Sequence, residues 1–286
     1  MMRSLLAMIL LGLVTLVVAI PAPPTADSSG ANTTTHSTSK WNWKRGLAYN
    51  DPRVTYLFNS HKITWMYNWG HQDNGANTQK LEYVPMLWSN RQPSINNWHS
   101  DVAKYSKGRT LHALGFNEPD MTTNGGSNMP SLPGTATAYR AWITEIKHYA
   151  PNLWIGSPAV TNGARGPSGK MGLDWLSDFL SACRDCSIDF VAIHWYDSYK
   201  SVDYFKAHVT KACQVAGGRP LWITEFAPDP WGTGEAEQIA FLRSVMPWLD
   251  ANDCVERYAF FMATPGMLVS GDGQGLSELG KVYAYA

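Results

Sequence analysis

Short apolar runs alternate with longer amphipathic stretches over most of this chain. The short runs are rich in β-branched and aromatic residues and are bounded by Gly, Pro and Asn, a pattern typical of strands. Eight such runs predict eight strands, over residues 45–48, 63–68, 83–87, 111–116, 153–156, 190–195, 221–224 and 258–262. In the longer stretches the apolar residues recur with a helical period, which predicts helices over residues 136–149, 173–183, 202–215 and 236–249.

Strands that alternate with helices predict βα units and a parallel sheet. Eight units within residues 41–286 match the size of a single-domain (β/α)8 TIM barrel in the α/β class. The connections that follow strands are long and rich in Gly, Asn and Pro, as expected of a barrel that works at the carboxyl ends of its strands. An open doubly wound sheet is the alternative, but the chain has no GxGxxG turn. Residues 70–82 are too few for a full helix, so one barrel helix should be reduced or missing.

The first 40 residues differ from the rest of the chain. Residues 1–19 combine Arg3 with an apolar run that ends in small residues, which predicts a cleaved signal peptide. A membrane anchor is the weaker alternative, because the apolar run is short and prolines follow it at once. Residues 20–40 are Ser/Thr-rich without hydrophobic periodicity, which predicts a disordered tail, and Asn32 lies in a glycosylation sequon there. We therefore expect a secreted protein, extracellular or in the cell wall.

The charge balance excludes some partners. The chain has 23 basic and 23 acidic residues and no basic cluster, so it lacks the electrostatic footprint of a nucleic-acid binder. Only 16% of residues are charged, whereas there are 13 Trp and 13 Tyr. A surface of this kind suits a neutral, amphipathic ligand. We expect a monomer without a nucleic-acid or membrane partner.

Four cysteines, Cys183, Cys186, Cys213 and Cys254, are an even number in a chain with a predicted signal peptide. Disulfides are therefore the default expectation, and four cysteines allow three connectivities. We favour the pairs 183–186 and 213–254, both structural. A redox CxxC motif or a zinc site is the weaker alternative, since no histidine lies at a matching spacing.

Two glutamates end strongly apolar predicted strands, Glu118 in the fourth and Glu225 in the seventh. A carboxyl group at the end of a buried strand is costly to desolvate unless it is paired or used. Two such groups that face each other across a barrel mouth are what glycosidic bond cleavage needs, one protonated and one ionised. The alternative is that each glutamate caps a helix or pairs with an arginine. Asp120, close to Glu118, is interpreted as a turn residue or helix cap.

Aromatic and polar residues near strand ends are candidates for contacts with a sugar, whose C–H faces pack on aromatic rings. Strand alternation places His194 and Tyr196 on one face of the strand and Trp195 on the other. Trp195 is kept as a candidate sugar contact only because strand ends twist out of regular alternation. The candidates at or just past strand ends are Tyr49, Asn68, Trp69, Trp88, His194, Trp195 and Trp231.

Five segments together resemble glycoside hydrolase family 128, within clan A of the retaining glycoside hydrolases. These segments are KRGLAYN at 44–50, GFNEPD at 115–120, SPA at 157–159, IHWY at 193–196 and WITEF at 222–226. The resemblance implies an endo-β-1,3-glucanase of fungal type that acts on cell-wall glucan with retention of configuration. It implies that Glu118 is the acid/base and Glu225 the nucleophile. It further implies that Asn117 binds the sugar 2-hydroxyl, that Tyr196 steadies the nucleophile, and that no metal or other cofactor is needed.

One position departs from the clan pattern. Many clan members carry a Trp sugar platform at the end of strand eight, but residues 258–262 read YAFFM. The stacking partner must therefore come from elsewhere. Two other functions stay open from the sequence: a non-catalytic β-glucan-binding barrel, and a β-1,4-glucanase or mannanase on the same fold.

Overall fold

The computed structural model describes residue 41 and residues 44–123, 125–230 and 232–286. Four predictions lie outside the described residues and stay predictions: the signal peptide, the disordered tail, the sequon at Asn32 and the sugar contact of Trp231. Residues from 44 onward belong to one compact unit. No helix in the described part of the chain is both long and apolar enough to cross a membrane.

Eight parallel strands form a closed barrel. Six of them pair side by side in the order β3-β2-β1-β10-β9-β8, and β4 pairs with β5. Bridges from Met86 to Leu114 and from Gly156 to Phe190 join the two sheets and close the ring. The (β/α)8 prediction is confirmed. The barrel strands are β1 Arg45–Tyr49, β2 Ile63–Tyr67, β3 Glu82–Tyr83, β4 His112–Ala113, β5 Trp154–Ile155, β8 Val191–Asp197, β9 Leu221–Pro228 and β10 Val255–Ala263.

The helices lie outside this ring, and a short hairpin, β6 Arg165–Gly166 with β7 Gly169–Lys170, interrupts the loop after β5. The predicted helix over 136–149 is broken by a π turn, Arg140–Thr144, between α2 and α3. Two helices were not predicted, α1 and α7. The α-helices are α1 Trp98–Tyr105, α2 Leu132–Tyr139, α3 Ile146–Tyr149, α4 Gly172–Ala182, α5 Val202–Ala216, α6 Glu235–Ala251 and α7 Glu278–Tyr285.

The first two strand connections are reduced. A single 3₁₀ segment, Pro52–Leu57, follows β1, and Asp51 caps it by accepting a hydrogen bond from the Arg53 amide. Turns alone connect β2 to β3, which confirms the expectation for residues 70–82. The barrel wall is therefore thin beside β2, and its loops are free to form a rim around the carboxyl ends of the strands.

Aromatic rings fill the inside of the barrel below the cleft. Trp222 stacks on Phe190 at a centroid distance of 4.1 Å and contacts Trp65 at 5.0 Å. Gly46 on β1 makes room for this packing, because a Cβ there would lie 2.1 Å from the Trp65 ring. The interior is thus a packed core, typical of this barrel.

A buried ionic cluster closes this core. Glu82 on β3 accepts hydrogen bonds from the Leu111 amide at 2.8 Å, from His112 Nδ1 at 2.8 Å and from Arg257 on β10 at 2.7 Å. The Arg257 guanidinium also lies 4.5 Å from the Trp222 ring centroid. One carboxylate therefore links three strands, β3, β4 and β10. Burial opposes its charge, but His112 and Arg257 prevail and lower the pKa of Glu82 to about 2.

Both favoured disulfides are present, Cys183–Cys186 after α4 and Cys213–Cys254. The second bond links α5 to the residue just before β10. It therefore fixes an outer helix to the barrel, which is a structural role.

We predict that Glu82 stabilises the barrel in a pH-dependent way. Because its folded-state pKa lies below the unfolded value, its contribution is full above about pH 4.5 and is lost as the pH falls toward 2. A depression of this size corresponds to roughly 3 kcal/mol. The difference in unfolding free energy between wild type and Glu82→Gln, measured by urea denaturation, should therefore shrink between pH 6 and pH 2. A difference that stays constant over this range would contradict the assignment.

Candidate active site

A cleft of about 960 Å³ opens at the carboxyl ends of the barrel strands, and Glu118 and Glu225 both line it. Glu118 follows β4 in a loop, whereas Glu225 lies within β9. The two side chains are largely buried, since the residues are only 7% and 6% exposed. The topology of a parallel barrel explains their meeting, because the strand ends converge at one rim.

The backbone at Glu118 is strained. Its φ is +42°, in the left-handed region that non-glycine residues rarely adopt. The Glu118 amide donates to the Ala159 carbonyl at 2.7 Å, and its own carbonyl accepts from the Met121 amide at 3.1 Å. Strain of this kind costs of the order of 1–3 kcal/mol and persists where the surroundings enforce it, as at many functional sites.

His194 lies between the two carboxyl groups at the bottom of the cleft. Its Nδ1 is 2.8 Å from Glu118 Oε1, and its Nε2 is 2.9 Å from Thr224 Oγ1 and 3.4 Å from Glu225 Oε1. The imidazole is fully buried. Burial favours the neutral ring, but the charges of Glu225 and Glu118 outweigh it and raise the pKa of His194.

Glu118 has the properties of a proton donor. Burial raises its pKa, as does the nearby charge of Glu225, and the hydrogen bond from His194 only partly offsets these effects. A carboxyl group with a raised pKa retains its proton at a pH where an ordinary glutamate is ionised.

Glu225 is held by neutral donors on both oxygens. Oε1 accepts from Trp69 Nε1 at 2.7 Å and from Tyr67 Oη at 3.3 Å, and Oε2 accepts from Tyr196 Oη at 2.5 Å. Burial raises the pKa of both phenols, and the charge of Glu225 adds to this, so they stay donors. The carboxylate is thereby fixed in orientation.

The spacing of the two acids is short. One oxygen from each carboxyl group and one ring nitrogen of His194 all lie within 4.8 Å of one another. These three side chains are near enough to share a metal ion. However, both His194 nitrogens already contact polar partners and both Glu225 oxygens accept hydrogen bonds, an arrangement that suits proton transfer and nucleophilic attack.

Asn117 contributes an unused acceptor. Its Nδ2 donates to the Gly125 carbonyl at 3.0 Å, whereas its Oδ1 is buried without a hydrogen-bond partner among the described residues. A buried acceptor left unpaired is costly. Since Asn117 lines the cleft beside Glu118, a hydroxyl group of a bound sugar would satisfy it.

The aromatic wall of the cleft contains Trp69, Trp88 and a residue that the sequence analysis missed, Phe261. Phe261 lies at the end of β10 and meets Trp69 edge-on at 5.8 Å and Tyr196 edge-on at 5.6 Å. It occupies the end of the eighth barrel strand, β10, where the clan pattern has a Trp. A search for any aromatic residue at that place, rather than for Trp alone, would have found it.

Four predicted contact residues lie away from the lining of the cleft. Trp195 is fully buried between barrel and helices, stacked on Phe241 at 5.5 Å, as strand alternation implies. Tyr49 is also fully buried, and its hydroxyl donates to the Asp73 carbonyl. His194 is fully buried as well, so it contacts the two carboxyl groups and does not line the cleft. Asn68 lies outside the cleft lining, in a neighbouring hollow, where its Nδ2 donates to the Gln72 carbonyl at 2.8 Å.

Asp120 behaves as predicted. It is buried, and its carboxylate accepts hydrogen bonds from the amide and hydroxyl of Thr161 and from the Gly172 amide at the start of α4. It therefore ties the loop that carries Glu118 to the loop after β5. Its role is structural.

A closed parallel barrel with two buried glutamates at the ends of its fourth and seventh strands defines the class of barrel glycoside hydrolases. The family model for the glycosyl hydrolase catalytic core matches residues 46–283. A family 128 (subgroup III) curdlan-specific exo-β-1,3-glucanase from Blastomyces gilchristii is 37% identical, with a TM-score of 0.74 over 85% of this chain and 98% of that chain. The chain belongs to glycoside hydrolase family 128 and is a glycoside hydrolase.

Two further proteins are similar to this chain. A family 128 (subgroup II) endo-β-1,3-glucanase from Sorangium cellulosum is 27% identical, with a TM-score of 0.70 over 85% of this chain and 98% of that chain. The Alkali-sensitive linkage protein 1 of Schizosaccharomyces pombe is 33% identical over 258 residues, which are 84% of this chain. The match spans only 44% of that longer protein.

We predict that Trp69→Phe lowers kcat on laminarin, a β-1,3-glucan, by about tenfold to a hundredfold. The variant keeps an aromatic ring but removes the N–H that holds Glu225 Oε1, and misplacing a reacting group by on the order of 1 Å can cost about a hundredfold. Reducing-sugar kinetics would measure the effect. Trp154→Phe, at an exposed indole on β5, is the control and should retain wild-type kcat. Equal kcat values for Trp69→Phe and wild type would show that the bond is dispensable.

Proposed function

We propose that the protein is a secreted, retaining endo-β-1,3-glucanase that hydrolyses cell-wall glucan. The observation that carries the proposal is the pair of buried carboxyl groups, whose nearest oxygens lie within 4.8 Å. Retaining glycosidases place their carboxyl groups about 5–5.5 Å apart, whereas inverting enzymes need about 6.5–9.5 Å to admit a water molecule. The short spacing favours double displacement.

In this mechanism Glu225 attacks the anomeric carbon while Glu118 gives its proton to the departing glycosidic oxygen. A glycosyl ester forms on Glu225 as the bond to the leaving sugar breaks. Glu118, now ionised, takes a proton from water, and the resulting attack frees the sugar and restores both groups. The raised pKa of Glu118 suits the first step. The donors Trp69, Tyr67 and Tyr196 suit a nucleophile that must keep one orientation.

The substrate class rests on the relatives. Family 128 structures from several organisms are β-1,3-glucanases, and one from Amycolatopsis mediterranei, 27% identical, holds laminaritriose and laminaribiose. The groove of this chain fits a glucan in chemistry, since it combines indole and phenyl surfaces with the free acceptor of Asn117.

Cleavage within a chain, rather than at its end, is supported by the shape of the groove. One flanking hollow of about 440 Å³ shares Trp69 and Trp88 with the cleft. Another, of about 280 Å³, shares Asn162, Gly163 and Met171. Because hollows adjoin the cleft at two separate sets of lining residues, the surface offers room for a glucan chain that extends beyond the cleft at both places. The relatives include both exo- and endo-acting enzymes, so this shape is the basis of our choice.

A digest tests substrate and stereochemistry together. We expect the purified protein to release oligosaccharides from laminarin but not from cellulose or mannan, and proton NMR should show the β-anomer first. Glu225→Ala should lose this turnover while retaining its fold by circular dichroism. Binding of laminarin without release of products would show a non-catalytic glucan-binding protein. Activity on cellulose or mannan would overturn the proposed β-1,3 linkage preference. An initial α-anomer would refute retention of configuration.

Secretion is supported by the two disulfides, which form in oxidising compartments. Amino-terminal sequencing of protein from culture medium should begin after Ala19. Retention of the apolar segment in a membrane fraction would favour the anchor instead.

A further inference from the structure

The larger of the two hollows that flank the catalytic cleft lies on the side of β2. We define it as the distal hollow, formed by the turns after β2 and the segment before α1. Its volume is about 440 Å³, within the range of roughly 300–1,000 Å³ typical of small-ligand sites. Trp69 and Trp88 line both the distal hollow and the cleft, so the two spaces adjoin along a shared aromatic wall.

The chemistry of the distal hollow is polar but uncharged. Its described lining contains no Asp, Glu, Lys or Arg and is rich in side-chain amides, including Gln72, Asn96 and Asn97. Such a surface offers hydrogen bonds without a field that would select an ion. Together with two indoles, it suits a neutral polyol that has both hydroxyl groups and apolar C–H faces.

His71 is held in place for such a ligand. Its Nδ1 is 2.7 Å from Asp101 Oδ2 on α1, and the same oxygen accepts from Gln72 Nε2 at 3.0 Å. The ring also meets Trp98 edge-on at 6.1 Å. Because Asp101 uses Nδ1, the ring atom left for a ligand is Nε2, and in the neutral imidazole this atom is an acceptor.

The floor of the distal hollow is also braced. Asn68 accepts from the Tyr83 hydroxyl at 2.8 Å and donates to the Gln72 carbonyl at 2.8 Å. These bonds fix the turn that carries Trp69 and His71. The hollow is therefore largely preorganised, and little conformational entropy is lost when a ligand enters.

We propose that the distal hollow binds a glucosyl unit of the substrate several units away from the bond that is cleaved, with His71 Nε2 accepting a hydrogen bond from a sugar hydroxyl. This inference rests on the proposed function, since it assigns an extended part of the same glucan chain. It makes the enzyme sensitive to chain length. Short oligosaccharides fill the catalytic cleft alone, whereas longer ones also reach His71.

The experiment compares laminaritriose with laminarihexaose. We expect His71→Ala to lower kcat/KM on laminarihexaose about fivefold to tenfold, the loss of one hydrogen bond, while kcat/KM on laminaritriose stays within twofold. Asn96→Leu, which replaces an exposed amide of the lining by an apolar side chain of similar size, should have the same selective effect. His148→Ala, at an exposed histidine on α3, is the matched control and should change neither value.

Calorimetry keeps this test independent of turnover. In a Glu225→Gln background, His71→Ala should weaken binding of laminarihexaose about fivefold to tenfold and leave laminaritriose unchanged. Absence of hydrolysis by the wild type would refute the proposed function but not the subsite. Equal losses on both oligosaccharides, or no loss on either, in the kinetics and in the calorimetry would overturn the subsite.

Discussion

The desolvation of two neighbouring carboxyl groups is the constraint on which the structure of the cleft depends. Glu118 and Glu225 are each more than nine-tenths buried and lie close enough to repel one another when both are ionised. The barrel reduces this desolvation cost in a different way for each of the two carboxyl groups. Glu118 keeps a raised pKa and can hold a proton, whereas Glu225 receives donors from three aromatic side chains. The acid and the nucleophile thus differ because their environments differ.

His194 couples the two environments. It contacts both carboxyl groups from a fully buried position, and their charges raise its pKa against the effect of burial. Glu118 and His194 share a hydrogen bond of 2.8 Å, so the charges of these two groups are coupled. When Glu118 changes from acid to carboxylate and back during turnover, the electrostatic potential at His194 therefore changes as well. The imidazole is fully buried and does not line the cleft, so it acts through the two carboxyl groups.

Hydrophobic periodicity and strand-end position predicted most of the fold and the catalytic pair from the sequence. All eight barrel strands, the reduced connection after β2, the disulfide pairs and the meeting of residues 118 and 225 follow from local patterns plus one topological rule. The directions in which single side chains point did not follow from these patterns. Tyr49 is fully buried and Phe261 was overlooked, because a strand pattern gives alternation but not the twist at a barrel rim. Trp195 was kept as a candidate on the expectation of such a twist, but it follows the alternation and is fully buried.

The role of Trp69 could not be predicted from its position in the sequence either. An indole near a strand end predicts stacking on a sugar, yet here the ring N–H holds Glu225, and a φ of +59° places it there. Both strained backbones at the cleft, at Trp69 and Glu118, aim side chains at the catalytic pair. Strain is invisible in sequence, since it depends on surroundings that enforce it. The catalytic geometry is therefore a property of the whole rim, and the tightly packed barrel beneath supplies the rigidity that this strain requires.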